Sequence, residues 1–168
     1  MADIVLTPAP PLGGYDETRG GLRLRELTGL AVVSLAIPLG EDAKAAQAIK
    51  SAFRLDLPDP GTSTANASHR LIRTGPDQLL LAFEHATPDA EPVVAKAIKG
   101  ALYTTDQTGA WVTLELSGAG CRAALERLCP LDLHPDTFPV GAAHRTFMAH
   151  FGVVIMRSGE ETFLQMSS

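Results

Sequence analysis

Two cysteines and five histidines are the residues of this 168-residue chain best suited to nucleophilic, proton-transfer or metal chemistry. Cys121 and Cys129 lie in a segment that reads as one helix, with Leu125 and Leu128 between them on the same face. Eight residues of helix rise about 12 Å, too far for a mutual disulfide, and small apolar side chains at core positions explain the pair. Adding His134, His144 and His150 does not produce the closely paired ligand spacing of a zinc site. His69 and His85 are equally isolated, and a catalytic imidazole needs a nucleophile or carboxylate beside it. No Gly-x-Ser-x-Gly elbow is present, and His134-Pro135 reads as shaping a loop. Ser117-Gly118-Ala119-Gly120 stands between a strand and a helix, where an anion would be welcome. No Gly-x-Gly-x-x-Gly or phosphate-loop motif accompanies it, so it reads as a turn. Glu41-Asp42 and Glu160-Glu161 fall at expected turns and read as solvated surface; Trp111 opens a strand and reads as core or interface. No catalytic, cofactor-binding or metal-ligating residue is therefore assigned.

The bulk composition narrows the class further. Charged residues make up 20% of the chain, hydrophobic residues 45%, and the formal net charge is −5. A nucleic-acid binder needs a clustered basic surface, and this balance excludes that reading. The longest apolar run, Gly29 to Leu39, is broken by Ser34 and Pro38 and is too short for a membrane span. Met1-Ala-Asp-Ile-Val lacks a basic region leading into an apolar one, so no signal peptide is expected. Two cysteines do not make a disulfide framework. A cytoplasmic protein is the expectation.

Residues 1–21 are rich in Pro and Gly and read as a flexible N-terminal arm, either a disordered tail or an arm lying over another subunit. Strands are expected at Leu22 to Leu27 and Leu30 to Ile37, followed by a helix whose stripe is Ala45, Ala48, Ile49, Ala52 and Phe53. Residues 56–68 read as a loop, and His69 to Arg73 with Gln78 to Glu84 as a hairpin. A second helix runs from Asp89 to Leu102 with Pro92 in its first turn. The pattern then restarts: a strand at Trp111 to Leu116, a helix at Gly120 to Cys129 ended by Pro130, a Pro-rich loop, and strands at His144 to His150, Val153 to Arg157 and Thr162 to Met166.

This restart is an internal repeat. Val32-Val33-Ser34-Leu35-Ala36-Ile37 aligns with Trp111-Val112-Thr113-Leu114-Glu115-Leu116. Leu55-Asp56-Leu57-Pro58-Asp59 aligns with Leu131-Asp132-Leu133-His134-Pro135-Asp136, and Leu71-Ile72-Arg73-Thr74-Gly75 with Ile155-Met156-Arg157-Ser158-Gly159. Three matches in one order predict an α+β fold of two pseudo-repeated strand–helix–strand units. The expected organisation is a single domain over 22–168, made of lobes 22–105 and 106–168.

Asp106-Gln107-Thr108-Gly109-Ala110-Trp111-Val112, Leu116-Ser117-Gly118 and Cys129-Pro130-Leu131-Asp132-Leu133-His134-Pro135 resemble the gamma subunit of heterotetrameric sarcosine oxidase. Leu24-Arg25-Glu26 and the Met148 to Arg157 stretch fit as well. The resemblance implies a fold similar to the folate-binding domain of the glycine-cleavage T-protein. It implies a non-catalytic subunit, with a role in assembly and stability, beside alpha, beta and delta subunits that carry FAD, FMN, NAD and zinc. Such a complex oxidises sarcosine to glycine, making hydrogen peroxide and a one-carbon unit passed to tetrahydrofolate. The other reading is a folate-binding or aminomethyltransferase-like protein acting alone; the Lys-Gly-Cys-Tyr type signature of such relatives is missing. The family usually continues through an Arg-Ser-Phe stretch into a helix where this sequence stops. The second unit accordingly has no equivalent of the Asp89 to Leu102 helix. Val153, Ile155, Phe163 and Leu164 are then expected to need cover from another chain, either a second copy or a large subunit.

Overall fold

The computed structural model describes residues 9–86 and 88–168. In chain order the elements are β1 (Asp16–Arg19), β2 (Leu22–Glu26), β3 (Leu30–Ala36), α1 (Asp42–Phe53), β4 (Ser63–Ala65), β5 (His69–Arg73), β6 (Gln78–Glu84), α2 (Ala90–Ile98), β7 (Tyr103–Asp106), β8 (Val112–Ser117), α3 (Cys121–Leu125), β9 (Ala143–Met148), β10 (Phe151–Gly159) and β11 (Thr162–Ser167). They build a five-stranded sheet in the order β4-β5-β6-β3-β7 and a six-stranded sheet in the order β1-β2-β8-β11-β10-β9.

The expected α+β repeat is present, and the sheet orders show how it is built. β9-β10-β11-β8-β2 repeats β4-β5-β6-β3-β7 strand for strand. The strand beside the first strand of each unit is exchanged: β2, which leads into β3, pairs with β8, and β7, which leads into β8, pairs with β3. The lobes therefore do not divide at residue 105 as the sequence suggests. Residues 16–26 belong to the sheet of the second unit, because Arg23 to Glu26 sit in register with Ser117 to Leu114 of β8 and β1 pairs with β2.

Part of the expected arm is also structured. Residues 1–8 lie outside the described residues, but Asp16–Arg19 form β1 against β2. The buried carboxylate of Glu26 accepts hydrogen bonds from the backbone N–H groups of Leu12 (3.1 Å) and Gly14 (2.7 Å), which pins the segment before it. The polar strands β1, β4 and β7 have no apolar alternation and were not legible in the sequence. Two helices are shorter than their periodicity suggests. Lys99 takes a left-handed conformation and ends α2 at Ile98. After Leu125 the chain tightens, with the Leu128 N–H bonding back to the Leu125 carbonyl, and α3 does not reach Cys129.

Alternation along the strands sorts the core into layers. Val33, Leu35, Leu71, Leu79, Leu81 and Phe83 face α1 and α2. Val32, Ile72, Leu80 and Ala82 meet Val154, Met156, Leu164 and Met166 of the other sheet. On the far side, Val153, Ile155 and Phe163 pack under Cys121, Leu125, Leu133 and Phe138. This corrects the expectation that Val153, Ile155, Phe163 and Leu164 need an outside cover. All four are buried within the chain, the first three by α3 and the loop after it and Leu164 by the facing sheet.

The units meet where two loops cross. Thr62 and Ala142 form an antiparallel bridge; Ser63 N–H donates to the Gly141 carbonyl (2.7 Å), and Ala143 N–H to the Gly61 carbonyl (2.8 Å). Each loop is held by the buried arginine of its own unit. Arg73 Nη1 donates to the Pro58 carbonyl (3.2 Å), and its other nitrogens to the Pro76 carbonyl and Asp42 Oδ1. Arg157 Nη1 donates to the Phe138 carbonyl (3.2 Å), and Nη2 to the Glu160 carbonyl and side chain. Removing either guanidinium strands buried carbonyls, so Arg73→Ala and Arg157→Ala are each expected to cost about 2–4 kcal/mol in urea unfolding. Glu160→Gln, which alters the exposed partner of the pair and keeps an acceptor for Arg157, is expected to cost under about 1 kcal/mol. Equal small losses in all three would contradict the clamp.

Candidate functional site

The cysteines and histidines do not converge. Cys121 and Cys129 are free and buried. The Cys121 thiol lies 3.8 Å from Glu161 Oε2, and burial, then that negative charge, pushes its pKa up. This is the opposite of what a nucleophilic thiol requires. His69 lies between the rings of Phe53 (5.2 Å) and Phe83 (5.5 Å), and burial lowers its pKa. His85 bonds Asp89 at 2.8 Å and by that hydrogen bond lowers the carboxyl's pKa. His144 packs on Phe138 at the loop crossing, His134 stays in its loop, and His150 is exposed at the β9–β10 turn. Among the described residues no three His, Cys, Asp or Glu side chains gather as metal ligands.

The glycine turn and the carboxylate pairs have structural jobs. A Cβ at Gly118 would collide with the Gly21 carbonyl oxygen, so glycine is needed where β2 and β8 end together. Asp42 and Glu160, read from sequence as plain surface, instead receive the buried arginines (2.9 Å each). Glu161 lies against Cys121, and Glu41 pairs with Lys44 at 3.6 Å.

Two clefts remain. One, of about 640 Å³, runs beside the β2–β3 connection and Trp111, whose indole N–H is buried without an acceptor. The other, of about 630 Å³, opens where the sheets diverge, with Arg70 and Glu115 at its polar end. Glu115 is engaged by Arg25 Nε at 2.7 Å, and burial lowers the pKa of Arg70 while the charge of Glu115 opposes the shift. His85, hydrogen-bonded to Asp89, lines the first cleft, and among the described residues no cluster of metal ligands lines either. The features that organise the molecule, Arg73 and Arg157, were missed as sites. Their signal was nonetheless present, because each occupies the third position of the matched segments Leu71 to Gly75 and Ile155 to Gly159.

Fold and site together describe a two-sheet α+β domain built by internal repetition. The chain belongs to the sarcosine oxidase, gamma subunit family, whose model matches residues 39–167. It is 30% identical over 148 residues to the sarcosine oxidase subunit gamma of an Arthrobacter species, covering 87% of this chain and 72% of that protein. The subunit gamma of Corynebacterium sp. strain P-1 is 32% identical over 149 residues, with the same shares covered. Among solved structures, a chain of heterotetrameric sarcosine oxidase from Corynebacterium sp. U-96, in complex with pyrrole 2-carboxylate, superposes with a TM-score of 0.72 at 27% identity, covering 86% of this chain and 74% of that one. Aminomethyltransferase T of the glycine cleavage system from Bartonella henselae gives 0.64 at 18% identity, covering 89% and 42%, which shows a shared fold. The family resemblance and the T-protein fold expected from the sequence are both met.

Three outcomes are expected. Both thiols should resist a water-soluble maleimide in the native protein and react after unfolding; fast native labelling would place them at the surface. Gly118→Ala should cost about 2 kcal/mol or more in urea unfolding. For His69, burial lowers the folded-state pKa, so its contribution is present above the ordinary value of 6.5 and is lost as pH falls below it. His69→Phe, which keeps the stack, should therefore lose less stability than the parent between about pH 7.5 and about pH 5. Identical losses would show that His69 is not the group responsible.

Proposed function

We infer that this chain is the gamma subunit of a cytoplasmic heterotetrameric sarcosine oxidase, and that its work is assembly and stability rather than catalysis. Alpha, beta and delta subunits are its partners. The complex takes electrons from the N-methyl group of sarcosine and reduces dioxygen to hydrogen peroxide; glycine is released and the one-carbon unit passes to tetrahydrofolate. FAD, FMN, NAD and zinc belong to the other chains. The observation that carries this reading is the likeness, over 86% of the chain, to a subunit of a heterotetrameric sarcosine oxidase. The chemistry supports it: the raised Cys121 thiol and the dispersed histidines leave catalysis to other chains. No helix of the described residues is long and apolar enough to cross a membrane. A folate-binding or aminomethyl-transferring protein acting alone would share the fold, but family membership supports the gamma-subunit reading.

Co-expression with the alpha, beta and delta subunits of a heterotetrameric sarcosine oxidase tests the reading. The chain should co-purify in fixed stoichiometry with the tagged large subunit, while the chain expressed alone should be colourless and make no peroxide from sarcosine. Flavin absorbance in the isolated chain, or failure to join the complex, would contradict it.

A further inference from the structure

The chain has six phenylalanines. Phe53, Phe83, Phe138 and Phe163 are buried; Phe147 and Phe151 are 66% and 64% exposed, and both stand at the tip of the β9–β10 hairpin. Strand alternation places them on opposite faces. Phe151 shares the side of Val153 and Ile155, whereas Phe147, opposite Gly152, shares the side of Val154. Arg145 and Phe147 also line a groove of about 270 Å³ that reaches Trp111. Exposed aromatics concentrated on one tip, beside a groove, mark an interaction surface more often than scattered apolar residues do.

β9 ends the six-stranded sheet. Its outward backbone groups can be followed from residue to residue. The Gly141 carbonyl and the Ala143 N–H point outward, because they bond Ser63 and Gly61, and Ala149 N–H bonds the Leu128 carbonyl. Alternate residues share a side in an antiparallel strand, so Arg145 and Phe147 present their N–H and C=O groups outward between these two anchors. The open edge is short and bounded at both ends. It is also locally basic in an acidic protein: residues 137–159 contain none of the 19 acidic residues, while Arg145 is exposed on the edge itself.

We propose that β9 and the β9–β10 tip are the docking edge of this subunit, and that its occupant is a short extended segment of another subunit of the oxidase complex. The segment pairs its backbone with Arg145 and Phe147, sets a carboxylate against the Arg145 guanidinium, and packs apolar side chains over Phe147 and Phe151. The mode is strand addition, in which main-chain bonds give affinity and flanking side chains give selectivity. The proposal rests on the gamma-subunit reading.

The experiment uses the complex assembled from the full chain and the other subunits of the oxidase. Hydrogen exchange at Arg145 and Phe147 should be fast in the free chain and slow in the complex. Phe147→Ser with Phe151→Ser should weaken assembly on the order of 100-fold, while Tyr103→Ser, an equally exposed aromatic on β7, should leave it unchanged. Arg145→Glu should weaken assembly and reverse its salt dependence. Because these side chains are exposed, urea midpoints of the free variants should match the parent. A complex that assembles with parental affinity in the serine variants, and with β9 still exchanging fast, overturns the docking edge while the gamma-subunit reading stands. No complex with the parent chain overturns both. A dimer of the free chain with β9 already protected assigns the edge to a second copy and also overturns the proposal.

Discussion

Two buried guanidinium groups hold this fold together at its centre. Arg73 and Arg157 occupy matching positions at the ends of β5 and β10, and each reaches back to a carbonyl of the loop that precedes its sheet strands. A buried charge without partners would be costly, so each arginine requires that loop and the turn beyond it to be in place. The loops in turn bond each other across Thr62 and Ala142, with Gly61 and Gly141 both in left-handed conformations (φ +82° and +97°). The arginines therefore fix the position of each unit relative to the other as well as the geometry within it. Replacing one breaks the agreement between backbone and side chain at the place where the two sheets are joined.

The exchanged strands reinforce that coupling. β2 is covalently next to β3 but belongs to the other sheet, and β7 is next to β8 in the same reciprocal way. Separating the units would strip the β1–β2 pair from one sheet and β7 from the other, leaving the backbone edges of β8 and β3 unpaired.

Much of this was legible in the sequence, and the failures have physical causes. The repeat was visible because β3, β5 and β10 carry buried residues, and burial constrains residue type. Arg73 and Arg157 were inside the matched segments, yet an arginine in a strand reads as surface until its carbonyl partners are placed, and those partners are backbone groups that carry no sequence signature. β1, β4 and β7 were missed for the same reason: they are short, polar strands held by pairing rather than by burial. The expectation of an uncovered sheet failed because α3 alone was counted as its cover. The irregular loop after it buries Leu133 and Phe138 against the same sheet face. The candidate chemistry was read correctly for the cysteines and incompletely for the carboxylates, since Asp42 and Glu160 are partners of the buried arginines.

The proposal is that this chain supports a catalytic complex without taking part in the reaction. The most direct test compares the oxidase prepared with and without this chain, measuring sarcosine-dependent peroxide formation per bound flavin together with the lifetime of the assembly on warming. The account predicts an unchanged rate per flavin on mixing and a shorter-lived or incompletely assembled complex when the chain is left out. A fully assembled, equally long-lived complex whose rate per flavin collapses without the chain would contradict it.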